Sequence, residues 1–340
     1  MGQAGRCSLG TVVAQRGGSS PDSALIRLLA DGRFHSGEEL GGHLGISRAA
    51  IWKRLRELEA LGLTLERVRG KGYRLPGGLS LLDADAIVRA SGLAPGALDL
   101  VVLETIDSTN AEALRRAGAG LAAPLAVLAE HQQAGRGRRG RAWQSPFGTN
   151  LYVTLAREFG SAARLEGLSL AVGIAVAEVL EETGLAGRVQ LKWPNDIQCS
   201  GRKLGGVLVE LAGDLDTSCV AVIGIGLNGA MPATAARAID QPWTDLGRET
   251  GAPLERNLLG GRLLGHMVQV LDLFAEEGFG GLRQRWARYD CCVDRPVRVE
   301  LAGRSLDGVA RGVDARGALL LEHEGQVQAW HGGEVSLRLA

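Results

Sequence analysis

The sequence has no excess charge of either sign, no cysteine framework and no long apolar run. Across 340 residues, 38 Lys and Arg are balanced by 38 Asp and Glu. A globally basic, nucleic-acid-coating protein is excluded, so any basic surface must be local. The five cysteines, Cys7, Cys199, Cys219, Cys291 and Cys292, are scattered, with no C-x-x-C pair and no histidine at zinc-ligand spacing. That sets aside a disulfide scaffold and a zinc finger, and leaves reduced thiols in a cytoplasm as the expectation. The vicinal Cys291-Cys292 reads as a redox pair or, more plainly, as two incidental small residues. The longest apolar stretch, Leu168 to Leu180, stops at Glu181 and Glu182 after thirteen residues. A membrane span needs roughly 18, so this stretch reads as a buried helix and no membrane partner is expected. Residues 1–20 hold only a brief apolar patch, Leu9 to Ala14, too short for a secretory core. They read as a disordered tail.

What is present is local. At roughly 100–200 residues per domain, the length allows two or three domains. Gly135-Arg136-Gly137-Arg138-Arg139-Gly140-Arg141 sets four guanidiniums among three glycines. Such a segment has neither apolar periodicity nor propensity for helix or strand. Its glycines let backbone N–H groups approach an oxyanion, and its arginines match phosphate or carboxylate oxygens two at a time. Taken alone it is a solvated loop or an unspecific nucleic-acid binder. Its neighbours must decide what it holds.

Residues 21–82 read as a winged helix-turn-helix with a linker. Ala24, Leu25, Leu28 and Leu29 recur at helical spacing before Asp31-Gly32. Ser36 with Glu39 three positions on is a capping-box signature for a second helix, which ends at Gly45. Ser47 caps a third, with Ile51, Leu55, Leu58 and Leu61 on one face and Arg48, Trp52 and Lys53 on the other. Leu63 to Val68 and Gly72 to Leu75 then read as two strands around a basic turn. Residues 47–74 carry eight basic side chains against three acidic ones. A charged bundle whose arginines are merely solvated is the plainer alternative, but charge, turn and wing agree on DNA. Ser47, Arg48, Ala50 and Trp52 are expected to read bases, and Arg69, Lys71 and Arg74 to contact phosphates.

In residues 83–290, Asp83 to Ser91 reads as a helix and Leu98 to Thr105 as a strand delivering Asp107-Ser108-Thr109-Asn110. Ser108 or Thr109 is expected to cap the helix that follows, whose free N–H groups suit an acceptor-rich ligand. Leu125 to Ala129 is a strand carrying Glu130, His131, Gln132 and Gln133 to the arginine loop, with His131 hydrogen-bonded rather than catalytic. Asn150 to Leu155 is another strand. Val189 to Lys192 ends in a lysine where Trp193-Pro194 stops regular pairing. Lys192 is thus a fixed cation or a snorkelling side chain. Cys219 to Leu227 leads to Asn228, and Gly224 and Gly226 are expected to leave room for a bound molecule.

Six ordered motifs now stand together: Asp107 to Asn110, Gln132 to Arg141, Ser145 to Leu151, Lys192 to Asp196, Gly205 to Glu210, and Gly224 to Asn228. They resemble those of biotin–protein ligases. With the basic winged helix in front, the chain is similar to the bifunctional bacterial biotin ligases and biotin operon repressors from about residue 22 to its end. The resemblance implies a multidomain protein: an N-terminal winged helix-turn-helix, a central α/β catalytic domain with a mixed sheet and class II synthetase-like fold, and a C-terminal SH3-like β-barrel at 291–340. The short, regularly spaced strands from Arg295 to Trp330 suggest a barrel independently. His331-Gly332-Gly333-Glu334 reads as a barrel turn or as an approach to ATP or acceptor.

By the same resemblance the reaction joins biotin to ATP, giving biotinyl-5′-AMP, and passes biotin to a lysine of a biotin carboxyl carrier protein. Ser108, Thr109, Asn110 and Gln132 would hold biotin, and Arg136, Gly137 and Arg138 would cover biotin and the adenylate phosphate. Lys192 and Arg138 would be the catalytic residues. Asn228 and Trp243 would lie near the nucleotide, Trp243 as an adenine-stacking lid. Magnesium is expected with ATP, yet no carboxylate cluster identifies its ligands. The adenylate-loaded protein would form a homodimer, with Gly205 to Leu211 as a candidate edge strand, and would bind operator DNA. The rivals are a catalytically weak biotin-sensing repressor and a ligase of a related acid such as lipoate.

Overall fold

The computed structural model describes residues 15–16, 21–301, 304–332 and 336–339. Gln15–Arg16, within the stretch read as a disordered tail, instead form a short strand, β1. Three helices follow, α1 (Pro21–Leu29), α2 (Gly37–Leu44) and α3 (Arg48–Ala60), and then an antiparallel wing of β2 (Glu66–Val68) and β3 (Gly72–Arg74). The capping box is present: Ser36 Oγ accepts from Glu39 N at 3.0 Å, and the Glu39 carboxylate accepts from Ser36 N at 3.3 Å. Gly45, at φ 64°, ends α2, and Ser47 Oγ accepts from Ala50 N at 3.2 Å to start α3. Gly72 has φ 105°, and a Cβ there would lie 2.0 Å from the His35 carbonyl oxygen. Only glycine fits, which lets His35 and Tyr73 exchange two backbone bonds of 2.9 Å that seat the wing. Leu25, Ile26, Leu29, Leu40, Ile51, Leu55 and Leu58 fill the core of this unit, together with Phe147 from far along the chain.

Helix α4 (Ala84–Ser91) leads into β4 (Asp99–Ile106), α5 (Thr109–Ala117), β5 (Leu125–Gln132), β6 (Leu151–Phe159) and α6 (Leu168–Leu180). Four antiparallel strands follow: β7 (Val189–Lys192), β8 (Asp196–Cys199), β9 (Arg202–Asp214) and β10 (Ser218–Leu227). The sheet runs β1-β4-β5-β6-β10-β9-β8-β7, parallel at β1–β4 and β4–β5 and antiparallel elsewhere, so it is mixed as expected. Helices α7 (Ala233–Ala236), α8 (Leu246–Thr250), α9 (Arg256–Glu277) and α10 (Arg283–Ala287) complete this part. Helix α9 is long and apolar enough to cross a bilayer by composition. Its Leu263, Leu264, Met267, Leu271 and Phe274 are instead buried with α6 in the main core. That core covers one face of the sheet and leaves the other to α5 and a cleft. Strand β8 pairs with β9 only up to Gly206, so from Leu208 onward the outer edge of β9 has no strand beside it among the described residues.

The last part is a five-stranded antiparallel sheet ordered β14-β13-β12-β11-β15. Its strands are β11 (Pro296–Leu301), β12 (Arg304–Val313), β13 (Leu319–His323), β14 (Gln326–Trp330) and β15 (Ser336–Leu339). Val297, Val299, Ala310, Val313, Leu319 and Leu321 continue the main core without a break, which fixes this unit against the cleft.

Candidate active site

A cleft of about 570 Å³ opens where β4, β5, β7 and β10 deliver their ends, under the arginine loop. All ten candidate binding residues, Ser108, Thr109, Asn110, Gln132, Arg136, Gly137, Arg138, Lys192, Asn228 and Trp243, line it. The strands supply rigid ends and the loop supplies the roof.

Ser108 is the N-cap residue of α5, immediately before its first residue Thr109, but the side-chain cap expected there is not formed. The Ser108 N–H donates to Asp107 Oδ1 at 2.7 Å. Two bonds from Arg115 hold the Asp107 carboxyl at about 2 and keep it anionic. The Thr109 N–H donates to Gln132 Oε1 at 2.9 Å, and Gln132 Nε2 donates to Ser145 Oγ at 3.0 Å. The β4 and β5 ends are thus locked together before any ligand arrives, which is preorganisation of a binding wall.

The arginine loop is a tight hairpin. Gly137 N–H donates to Arg141 O at 2.7 Å and Trp143 N–H to Gly135 O at 2.8 Å. Arg138 Nη1 donates to Asn195 Oδ1 at 3.1 Å, and Nη2 donates to the Gly332 carbonyl of the C-terminal unit. Burial pushes its pKa down, but a guanidinium remains charged. The loop therefore spans from the catalytic sheet to the last domain. From the expected turn, Gly332 meets the loop through this bond without lining the cleft; Gly333 and Glu334 fall outside the described residues.

Lys192 ends β7 with its side chain half-buried and cleft-lining. Asp196, its cross-strand neighbour, is paired at 2.6 Å with Lys203 instead. Trp193 is buried and donates to Gly317 O at 3.1 Å, tying this turn to the last domain. Asn195 donates to Val207 O at 2.8 Å while accepting from Arg138, so it both shapes the turn and holds the loop.

Gly224 and Gly226 line the cleft, but neither position has space for a side chain. A Cβ on Gly224 would lie 2.1 Å from Asn110 Oδ1, and one on Gly226 would lie 2.5 Å from the Trp143 ring. Side chains of this chain occupy both spaces. Trp143 was not among the candidates, although a large aromatic directly after an Arg/Gly loop is a signal. Its buried Nε1 has no hydrogen-bond partner, and Lys203 Nζ lies 5.8 Å from its ring. Asn228 spends its amide on Thr244 O at 3.0 Å. Trp243 carries the Arg248 guanidinium at 4.1 Å, so one ring face is already covered. His131, pushed down by burial, does not line the cleft.

On the winged helix, Ser47, Arg48, Trp52 and Lys53 are exposed along α3, while Ala50 is half-buried. Trp52 is 46% exposed, with Arg56 at 5.0 Å from its ring. In the wing, Arg74 pairs with Glu66 at 2.6 Å, and both Arg74 and Lys71 lie near the Phe34 ring, 4.5 and 5.9 Å from its centre. Arg69 lies at the exposed tip.

The bifunctional ligase/repressor BirA of Salmonella typhimurium is 48% identical over 318 residues, covering 93% of this chain and 97% of that protein. The chain belongs to the bifunctional ligase/repressor family. BirA of Escherichia coli is 46% identical over 321 residues, with the same coverage of both chains. The family model for the biotin/lipoate A/B protein ligases matches residues 102–228, an HTH domain model matches 22–74, and the biotin protein ligase C-terminal domain matches 293–338. Among solved structures, the biotin protein ligase of Aquifex aeolicus in complex with biotin and ATP superposes with a TM-score of 0.59 at 28% identity. It covers 71% of this chain and 99% of its own. The three-part organisation seen here is that of the family.

Proposed function

We propose that this protein is a biotin–protein ligase and biotin-responsive repressor. The observation that carries the ligase reading is the closure of the arginine loop over a cleft that also contains Lys192. A carboxylate attacking the α-phosphorus of ATP brings two anions together, so fixed cations on the path lower the barrier. Lys192 and Arg138 are those cations, while Arg136 helps to hold the bound acid. A biotin carboxylate oxygen forms a bond to the α-phosphorus, the bond to the β-phosphate oxygen breaks, and pyrophosphate leaves with the electron pair. The lysine amine of a biotin carboxyl carrier protein then attacks the acyl carbon and displaces AMP. Ser108, Thr109, Asn110 and Gln132 form the polar wall for the biotin ring, and Trp243 covers the nucleotide end.

Among the described residues no three metal-ligating side chains converge. Magnesium, expected with ATP, would supply charge neutralisation to its phosphates. The four described cysteines are unpaired and buried, in keeping with a reducing cytoplasm.

The repressor reading rests on the exposed basic face of α3 and the wing. The open edge of β9, with Leu211 40% and Leu215 50% exposed beside it, is the surface we assign to homodimer formation. Operator DNA would then meet two winged helices. The ligase reading is tested by incubating the protein with ATP, magnesium, a carrier-protein domain and either biotin or lipoate. Transfer of biotin alone is expected. Transfer of lipoate alone, or of neither acid, overturns it.

A further inference from the structure

Strand β9 places Gly206, Leu208 and Glu210 on one face by its two-residue period, the face toward α5 and the arginine loop, while Val207 and Val209 pack into the main core. Gly206 and Leu208 line the cleft; Glu210, one step further along, does not. Yet its carboxylate reaches two residues that do. Oε2 accepts from Asn110 Nδ2 at 2.8 Å, and Oε1 lies 3.5 Å from Arg136 Nη2. Asn110 is 4% exposed, and its Oδ1 accepts from Thr154 Oγ1 at 2.7 Å; Thr154 is fully buried. Thr154 Oγ1 lies 2.8 Å from Thr109 Oγ1, which is itself 3.1 Å from Gln132 Oε1. Gln132 continues to Ser145 Oγ, which donates to Trp143 O at 3.0 Å. Trp143 N–H is bonded to Gly135 O, next to Arg136. The chain of contacts is therefore a closed ring that begins and ends at Glu210, passing around the proposed biotin wall and through the base of the loop.

We propose that Glu210 is the positioning residue of this ring, holding Arg136 over the cleft and Asn110 beneath it from strand β9 without touching substrate. The assignment of biotin to that wall rests on the function proposed above; the holding of the loop does not. Two physical features single out Glu210. It is the only carboxylate in the ring, so it alone offers charge to Arg136. It also gives the Asn110 amide an acceptor that the buried Thr154 hydroxyl, already committed to Asn110 Oδ1, does not supply. Ordering the loop before ligand arrives removes part of the cost of closing it on binding. The loss of Glu210 should therefore weaken binding of the first substrate and leave the chemical step, carried by Lys192, unaltered.

The test uses the full-length protein and the variant Glu210→Gln, which keeps an amide oxygen for Asn110 but removes the charge facing Arg136. Without ligand, limited trypsin digestion should cut after the loop arginines about two- to fivefold faster than in the wild type, as expected for loss of a partly exposed ion pair. Cleavage elsewhere should be unchanged. In an Arg136→Gln background the same substitution should add nothing. Where the wild type binds biotin, Glu210→Gln should raise KM for biotin by a similar factor with kcat unchanged. Equal loop cleavage in wild type and variant overturns the proposal, as does cleavage raised along the whole chain or an undiminished effect in the Arg136→Gln background. A wild type that fails to bind biotin counts against the proposed function alone, because the digestion needs no ligand.

Discussion

Arg256 Nη1 lies 2.6 Å from Glu130 Oε2, and both side chains are shielded, 3% and 5% exposed. Glu130 also accepts from Leu82 N–H, and Arg256 donates to the carbonyls of Ser80 and Asn150. Beside it, Asn257 brackets the same segment, accepting from Asp83 N at 2.8 Å and donating to Leu81 O at 3.0 Å. The linker between winged helix and catalytic sheet is thus clamped at residues 80–83. Removing one partner of a buried pair strands the other charge and typically costs about 3–5 kcal/mol. Arg256→Ala should lower the unfolding free energy by that order in urea titrations; a loss below about 1 kcal/mol would contradict the clamp.

Arg138 is the residue by which the loop reaches both Asn195 and the C-terminal unit. Hydrogen bonds to a charged group contribute about 1.5–3 kcal/mol each, so Arg138→Ala should release bound adenylate at least about tenfold faster. A chase of labelled biotinyl-5′-AMP measures this directly. Unchanged release would mean that the loop does not act as a lid.

His35 gives the wing a pH dependence. Its Nδ1 lies 3.0 Å from Glu39 and its Nε2 3.0 Å from Asp31. Both partners only accept, so both ring nitrogens must carry protons. Burial opposes the charged ring, but the Asp31 and Glu39 carboxylates outweigh it and the pKa is raised. Asp31 is lowered in turn, first by His35 and then by Arg33. A raised histidine contributes stability fully below its unfolded value of 6.5, and loses it as pH rises through the folded value. The melting temperature of the winged helix should therefore fall as pH rises above 6.5, and His35→Gln should flatten that fall. An equally steep decline in the variant would assign it to other groups.

The winged helix should bind operator DNA more tightly once the cleft is filled. Gel shifts with and without biotin plus ATP measure the difference, and equal affinities would remove the switch. Within that complex, Arg69→Ala should weaken binding to all sequences alike and reduce the salt slope by about 1. Trp52→Ala should instead change sequence preference.

The local devices were legible in the sequence. Ser36 with Glu39, Ser47 before α3 and the lysine before Trp193-Pro194 act within a few residues, and the structure has them where the pattern put them. What stayed hidden was long-range. Phe147 read as part of a loop motif, yet it fills the winged-helix core and its N–H meets Leu61 O at 3.4 Å. No periodicity can report such a contact, because it joins elements nearly a hundred positions apart in sequence. The tight packing at Gly224 and Gly226 was hidden for the same reason: the glycines were visible, but Asn110 and Trp143, which press against them, come from helix α5 and from the segment after the arginine loop. Glu210 looked like an ordinary strand residue until Arg136 and Asn110 were placed beside it.

In the proposed reaction, Lys192 and the arginine loop activate a biotin carboxylate on ATP. Biotin-dependent exchange of labelled pyrophosphate into ATP measures that step without any acceptor protein. The wild type should exchange only when biotin is present. Lys192→Ala should retain its fold and lose about 10²-fold or more of the exchange rate, as expected for removing a charge-stabilising group. Exchange in Lys192→Ala at the wild-type rate, or no biotin-dependent exchange in the wild type, would contradict it.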